Sequence, residues 1–133
     1  MIGADLIKDR NRLISAYDDS LGVTAEFNKN LLVRINRELF ANFDIEHGFQ
    51  HRAVFNDELS RIEMHLVSLC DQRVYINDQY IDFAEGEFIL TENSHKYSLK
   101  SFAEITQSAG LKIVQYWTDP QQDFALFLLH PCK

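Results

Sequence analysis

Residues 88–97 read Phe-Ile-Leu-Thr-Glu-Asn-Ser-His-Lys-Tyr, which begins as an alternating strand and then places a carboxylate, an amide, a hydroxyl and an imidazole in succession. Strand side chains alternate between two faces, so Glu92 is predicted to share a face with Phe88 and Leu90 and to follow them into the interior. The ordinary interpretation is a carboxylate that reaches water or pairs with an arginine, because charged side chains are seldom fully buried. The sharper interpretation makes Glu92 and Ser94 fixed polar groups at the mouth of an apolar pocket, which is how small-ligand sites are commonly built.

The sequence before this stretch predicts antiparallel strands. Residues 61–69 alternate between apolar and polar positions, which is the period of a half-buried strand. Two apolar runs, at 74–76 and 80–83, flank a short polar connection at 77–79, as in a β-hairpin. We therefore expect three or four antiparallel strands between residues 61 and 91.

Helices are predicted on both sides of these strands. From Val23 to Leu39, apolar residues recur every three or four positions, which indicates an amphipathic helix. Ser98 is placed to cap another helix and Gly110 to end it. The remaining predicted elements are a strand over 2–7, a helix over 8–17 and strands over 111–118 and 124–130. Residues 124–129 are apolar throughout and should be covered on both faces, so part of the cover is expected to lie outside this chain.

Length and composition indicate one globular domain. A chain of 133 residues that is 46% hydrophobic can bury a single core. Its net charge of -7 opposes sequence-independent binding to nucleic acid or to an anionic membrane surface. The first ten residues lack the apolar segment of a signal peptide, and no apolar run approaches the roughly 20 residues that span a bilayer. We therefore expect a cytoplasmic protein.

Metal, thiol and nucleotide chemistry find little support in the sequence. Cys70 and Cys132 are expected to be free thiols. His47 and His51 have the spacing of two ligands on one helix face, but Gly48 weakens that helix and no third ligand is evident, so surface histidines are the favoured interpretation. The five glycines never cluster, which excludes a dinucleotide-binding loop and a P-loop.

Three other positions have ordinary structural interpretations when they are taken singly. Tyr17 would end a short helix beside solvated charges, Met64 would pack in the core, and Thr24 would cap a helix through its hydroxyl. Taken alone, these patterns predict an α/β or α+β domain with one unusual carboxylate, and they do not predict a function.

Six segments have more meaning when they are read together. They are Tyr17-Asp18-Asp19-Ser20-Leu21-Gly22-Val23-Thr24-Ala25-Glu26-Phe27-Asn28, Ile35-Asn36-Arg37-Glu38-Leu39, Arg61-Ile62-Glu63-Met64, Asp82-Phe83-Ala84-Glu85-Gly86-Glu87, Leu90-Thr91-Glu92-Asn93-Ser94 and Trp117-Thr118-Asp119-Pro120. In order and spacing they resemble the C-terminal part of the histidine-specific, S-adenosylmethionine-dependent methyltransferases, which trimethylate the α-amine of L-histidine to hercynine on the way to ergothioneine. The resemblance covers essentially the whole chain.

The resemblance implies a lobe of a larger enzyme. Residues 1–133 would form one domain, made of the C-terminal part of a class I methyltransferase sheet and an inserted antiparallel β subdomain that binds substrate. The N-terminal, Rossmann-like portion that binds S-adenosylmethionine would be absent, so no cofactor and no catalytic residue are expected in this chain.

The resemblance also implies roles for five residues. Glu92 and Ser94 correspond to a pair that hydrogen-bonds the substrate imidazole, Met64 to a residue that packs on the ring, and Tyr17 and Thr24 to contacts near the amino and carboxylate end. A carboxylate can accept a ring N–H, while a hydroxyl can donate to or accept from the other nitrogen. Methyl transfer would then depend mainly on holding a neutral amine in line with the sulfonium methyl.

Two hypotheses follow. The first is a substrate-recognition lobe of a histidine methyltransferase that binds L-histidine or a related amino acid and is inactive by itself. The second is a non-catalytic module, derived from the same family, that binds a small molecule or dimerises. Self-association through an uncovered sheet face would agree with either one.

Overall fold

The structure is a computed structural model that describes residues 1–132. Within this range three helices and eight strands are formed. In chain order they are β1 (Ile2–Asp5), α1 (Arg10–Ser15), α2 (Val23–Leu39), β2 (Phe49–Asn56), β3 (Arg61–Ser68), β4 (Gln72–Ile76), β5 (Gln79–Phe83), β6 (Phe88–His95), α3 (Leu99–Ser108), β7 (Leu111–Thr118) and β8 (Phe124–Pro131). The named strands pair only antiparallel, and no helix connects two parallel strands among them. The α+β description is therefore confirmed.

The first sheet joins the two ends of the chain. Its order is β1-β8-β7, and helix α3 packs on one of its faces. Phe102 of α3 stacks on Phe127 of β8 with ring centroids 4.1 Å apart, beside the buried Ala4 and Ala125. The start of α3 is fixed by its sequence. The Ser98 hydroxyl accepts a hydrogen bond from the backbone N–H of Ser101 and caps the helix, as predicted.

The other face of this sheet is uncovered in the described chain. Phe124, Leu126 and Trp117 project from it and are 50%, 37% and 44% exposed. The sequence predicted that β8 needs cover on both faces, and α3 supplies only one. The result is an apolar face, defined here by these three residues, that is open to solvent.

The second sheet carries the main core. Its order is β2-β3-β6, and α1 and α2 pack against it. Leu32 of α2 contacts the cluster around Phe49 and Leu66, and all three are completely buried. Helix α2 spans the predicted residues because its apolar period places one face on this sheet.

The β4–β5 hairpin closes the far end of the core. Asn77 and Asp78 both have positive φ, 43° and 64°, which matches the two-residue turn that favours these residue types. Val74 and Phe83 point from the hairpin into the core cluster. Within residues 1–132, none of the helices combines the length and apolarity that a membrane crossing requires.

One irregularity in the second sheet changes the sequence prediction for Glu92. The pairing of β3 with β6 shifts register between Met64 and His65, so Met64 lies opposite Glu92 while His65 lies opposite Leu90. The extra residue is Thr91, and a bulge of this kind moves the following side chains to the other face. Glu92 therefore does not share a face with Phe88 and Leu90, which is a correction to the simple alternation.

Candidate functional site

A cavity of about 270 Å³ lies between helix α2 and strands β3 and β6. Its lining combines apolar side chains with two amides, a guanidinium, a hydroxyl and a carboxylate: Phe27, Asn28, Asn30, Leu31, Arg34, Met64, Thr91 and Glu92. Polar groups that converge on a cavity beside apolar side chains can fix the orientation of a small ligand.

Glu92 and Met64 face each other across the β3–β6 pair. They are directly opposed in the register, Met64 is buried, and Glu92 is exposed at the cavity wall. The sequence prediction of a buried carboxylate is therefore wrong. The hydroxyl of Thr91 donates to the Met64 carbonyl at 2.9 Å, which holds the bulge that turns Glu92 toward α2 and the open cavity.

Ser94 lies one residue pair farther along the same face. Its hydroxyl is 2.7 Å from the Tyr17 hydroxyl, although 77 residues separate them in sequence. The Lys96 ammonium donates to both, at 2.8 Å to Tyr17 and 3.0 Å to Ser94. Tyr17 and Ser94, to which the resemblance gave different roles, are thus brought together by a lysine that the sequence did not single out.

The Lys96 ammonium is itself anchored by a carboxylate. Lys96 is only 2% exposed and lies 2.8 Å from Asp5 at the end of β1, which also pairs with Lys8 at 2.6 Å. Burial alone lowers the pKa of Lys96, but the hydrogen bonds with Asp5 and Tyr17 outweigh it and the pKa is raised. Burial likewise raises the pKa of Asp5, and the two ammonium groups overcome that effect and lower it. The lysine is therefore charged at neutral pH.

The backbone of Tyr17 is held by a buried histidine. His51 of β2 donates from Nε2 to the Tyr17 carbonyl at 2.8 Å, because its Nδ1 accepts from the Asn28 amide at 2.9 Å. His51 is 5% exposed, so its interpretation as a surface histidine is wrong. In the described residues 1–132 no group of three His, Cys, Asp or Glu side chains is placed to hold a metal ion.

Thr24 lies in the first turn of α2 but does not cap it. Gly22 is the N-cap residue, and the cap is supplied by Asp19, whose carboxylate accepts from the backbone N–H groups of Val23 and Thr24 at 3.1 and 2.9 Å. These hydrogen bonds, led by those from Thr24, lower the pKa of Asp19 to about 2. The prediction of a Thr24 cap is wrong because the preceding turn brings a stronger acceptor to the helix N-terminus.

A separate polar cluster lies on the opposite face of β3. Glu63 accepts hydrogen bonds from Arg61 at 2.9 Å, His65 at 3.0 Å and Asn56 at 3.0 Å. The Arg61 and His65 contacts lower the pKa of Glu63 to about 2. The His65 ring stacks on Phe88 with centroids 4.0 Å apart, which covers the cluster.

The structure places two of the five predicted residues at the cavity and two beside it. Met64 and Glu92 line the cavity, Tyr17 and Ser94 form the adjacent hydroxyl pair, and Thr24 lies on α2 without lining that cavity. The sequence analysis missed the roles of Lys96, Asp5 and Asn28, and it misinterpreted His51. One signal could have found the lysine, since Glu92, Ser94 and Lys96 are spaced by two residues and so share a strand face.

Comparison with known proteins identifies relatives of this chain. Over 130 residues the chain is 45% identical to the histidine N-alpha-methyltransferase of Mycolicibacterium smegmatis and 46% identical to that of Mycobacterium tuberculosis. Each match covers 96% of this chain and 40% of the relative, so the chain spans less than half the length of these relatives. It is also 24% identical over 114 residues to ergothioneine biosynthesis protein 1 of Schizosaccharomyces pombe, across 86% of this chain and 15% of that protein. The model of the histidine-specific, SAM-dependent methyltransferase family matches residues 1–131, and the chain therefore belongs to that family.

Proposed function

We propose that this chain is the substrate-recognition lobe of a methyltransferase that acts on the α-amine of L-histidine and forms hercynine. The observation that carries the proposal is the opposition of Glu92 and Met64 at one cavity wall, with Ser94 on the same face. The names of the two mycobacterial relatives support histidine as substrate, and the name of the yeast relative supports a role in ergothioneine biosynthesis.

In the proposed complex, the imidazole ring lies between a carboxylate and a hydroxyl. Glu92 accepts a ring N–H, Ser94 serves the other ring nitrogen, and the Met64 thioether packs on the ring plane. A hydrogen bond to a charged group contributes roughly 1.5 to 3 kcal/mol, and a ligand without the ring N–H would leave Glu92 unpaired.

Tyr17 and Thr24 are proposed to contact the amino and carboxylate end of the substrate. Thr24 is in the first turn of α2, and the Tyr17 hydroxyl lies 2.7 Å from that of Ser94. The role of these residues is to orient the amine, because positioning dominates methyl transfer.

We propose that the described residues do not hold S-adenosylmethionine by themselves. Doubly wound folds hold nucleotide-like ligands at the carboxyl ends of parallel strands, whereas the named strands here pair only antiparallel. We propose that the methyl donor is bound by a preceding part of a longer protein, where it supplies the methyl group. The reducing cytoplasm is the proposed location, which agrees with the exposed free thiols of Cys70 and Cys132.

Calorimetric titration of the chain with L-histidine tests the proposal. Glu92→Gln should weaken histidine binding by roughly 10- to 100-fold, in line with the loss of one hydrogen bond to a charged group. Glu104→Gln, on the exposed side of α3, is the matched control and should leave the affinity unchanged. Equal affinities for the two variants would contradict the assigned cavity.

A turnover assay tests the lobe assignment separately. The chain alone should not methylate histidine in the presence of S-adenosylmethionine, and addition of the preceding portion of the M. smegmatis relative should produce methylated histidine. Turnover by the purified chain alone would contradict the assignment.

A non-catalytic module is the second candidate, and one observation favours it. The apolar face of Trp117, Phe124 and Leu126 is open, and an exposed apolar patch on a sheet commonly binds another protein surface. Under this alternative the chain would bind histidine or dimerise, and the preceding portion of a relative would restore no activity.

A further inference from the structure

Lys96 makes use of all of its hydrogen-bond donors inside the protein. An ammonium has three N–H groups and no acceptor. Its nitrogen lies 2.8 Å from an Asp5 carboxylate oxygen, 2.8 Å from the Tyr17 hydroxyl and 3.0 Å from the Ser94 hydroxyl. It also lies 4.6 Å from the centroid of the Tyr17 ring. This ammonium therefore has no N–H left for a ligand, and its effect on a ligand must pass through its partners.

The two hydroxyls have two protons between them and only one is needed for their mutual bond. Each hydroxyl oxygen accepts one N–H from Lys96, and the 2.7 Å contact between Tyr17 and Ser94 uses one O–H. One hydroxyl proton is left over. The direction of the Tyr17–Ser94 bond decides which residue presents it.

Chemistry favours Tyr17 as the donor in that bond. A phenol is a stronger acid than an aliphatic alcohol, and a hydrogen bond received from a cation strengthens the O–H that follows it in the chain. Ser94 then accepts from both Tyr17 and Lys96, which occupies both of its lone pairs. Its own proton is free to point away from Lys96.

We infer that Lys96 is a positioning residue that makes Ser94 a hydrogen-bond donor, so that the site takes the neutral imidazole and rejects the imidazolium. This inference rests on the proposed function, in which Glu92 and Ser94 contact the two ring nitrogens. The neutral ring has one N–H for Glu92 and one bare nitrogen that accepts from Ser94. The imidazolium has two N–H groups, and its second one would meet the Ser94 proton.

The surrounding charges act on the ring in opposite directions. Asp5 is balanced by Lys96 and Lys8, which leaves one net positive charge behind the hydroxyl pair. On the α2 side of the cavity, Arg34 adds a cation that is paired with Glu38 at 3.0 Å. From β2, the His51 ring donates to the Tyr17 carbonyl, and Glu92 is the carboxylate that lines the cavity. Glu92 favours a charged ring and the cation behind Ser94 opposes one, so the direction of the Ser94 O–H decides between the two forms of the ring.

Titration of the chain with ring-¹⁵N-labelled L-histidine between pH 7.5 and 5.5 tests the inference, because the ring nitrogen shifts report protonation and tautomer directly. At pH 6 about three quarters of a free imidazole with a pKa near 6.5 is protonated. The bound ring should instead be neutral at that pH. The dissociation constant should accordingly rise about tenfold from pH 7.5 to pH 5.5.

Variants separate this inference from the proposed function. Lys96→Met should return a lone pair to Ser94 and reduce the tenfold pH effect to about twofold or less, whereas Lys100→Met on α3 should retain it. Glu92→Gln should weaken binding at every pH. A bound imidazolium in the unmodified chain would overturn the inference, and this result does not depend on whether Lys96→Met folds. If Glu92→Gln still weakens binding in that case, the proposed function stands. Absence of histidine binding by the unmodified chain would overturn both.

Discussion

At the scale of single residues, hydrogen-bond partners decide what each charged group can do. Glu92 has an open cavity in front of it and is available to a ligand, whereas Glu63 on the opposite side of β3 is occupied by Arg61, His65 and Asn56. Two carboxylates on neighbouring strands thus have different roles. Glu63 should act through stability alone.

Glu63 should make the stability of the chain depend on acid pH. Its pKa is about 2 in the folded state, below the ordinary value of 4.5, so the stabilisation is complete above pH 4.5 and is lost as the pH falls toward 2. Glu63→Gln should lower the free energy of unfolding at pH 7 by roughly 1.5 to 3 kcal/mol and flatten its decline between pH 4.5 and 2.5. Urea titrations at several pH values measure both effects. Glu58→Gln, at an exposed turn position, should change neither the stability at pH 7 nor its pH dependence. If the stability of Glu63→Gln fell with pH as steeply as that of the unmodified chain, the hydrogen bonds assigned to Glu63 would be contradicted.

Sequence reasoning at this scale found residues but not their surroundings. Glu92, Ser94, Met64 and Tyr17 were identified by resemblance, and the structure places two of them at the cavity and two beside it. The face on which Glu92 lies was not predictable, because it depends on a bulge that exists only in the register between two strands. Lys96 was missed since its carboxylate partner, Asp5, lies at the other end of the chain.

At the scale of elements, the sequence predicted the helices and turns whose positions depend on neighbouring residues alone. Helix α2 and the β4–β5 hairpin have the predicted positions because an amphipathic period and an Asn-Asp turn are local signals. Strand β2 runs from Phe49 to Asn56, where the sequence has no clear apolar period. Its start is fixed by pairing with β3, which no local pattern shows.

Gly48 fixes the entry into β2 and supplies a test at this scale. A Cβ added there would lie 2.7 Å from the Asp44 carbonyl oxygen and 2.9 Å from a Gln72 side-chain oxygen. The backbone must therefore shift, and Gly48→Ala should destabilise the fold by about 1 to 3 kcal/mol. Ser20→Ala, in an exposed turn, is the control and should stay within about 0.5 kcal/mol of the unmodified chain. Chemical denaturation measures both, and equal stabilities would show that the close approach is relaxed in solution.

At the scale of the whole molecule, the open apolar face is the most informative feature. Phe124, Leu126 and Trp117 are exposed on the sheet that joins both ends of the chain. The chain also spans only 40% of its mycobacterial relatives. We propose that a preceding domain covers this face in a longer protein, and that a second copy of the chain covers it otherwise.

Sedimentation of the isolated chain tests this proposal. The chain should self-associate at high concentration, and Trp117→Lys should shift it toward monomer because a charge cannot be buried unpaired in an apolar contact. Leu59→Lys, in the turn between β2 and β3, is a control of similar exposure and should leave the association unchanged. Equal effects of the two substitutions would contradict a specific role of this face.

Nuclear magnetic resonance of the ¹⁵N-labelled chain during addition of L-histidine tests the central claim most directly. The account predicts that the amide signals of Met64, Thr91, Glu92 and Ser94 move, because these residues surround the proposed ring site, while those of the β4–β5 hairpin stay in place. Movement confined to the hairpin or to the open apolar face, or no movement at saturating histidine, would contradict it.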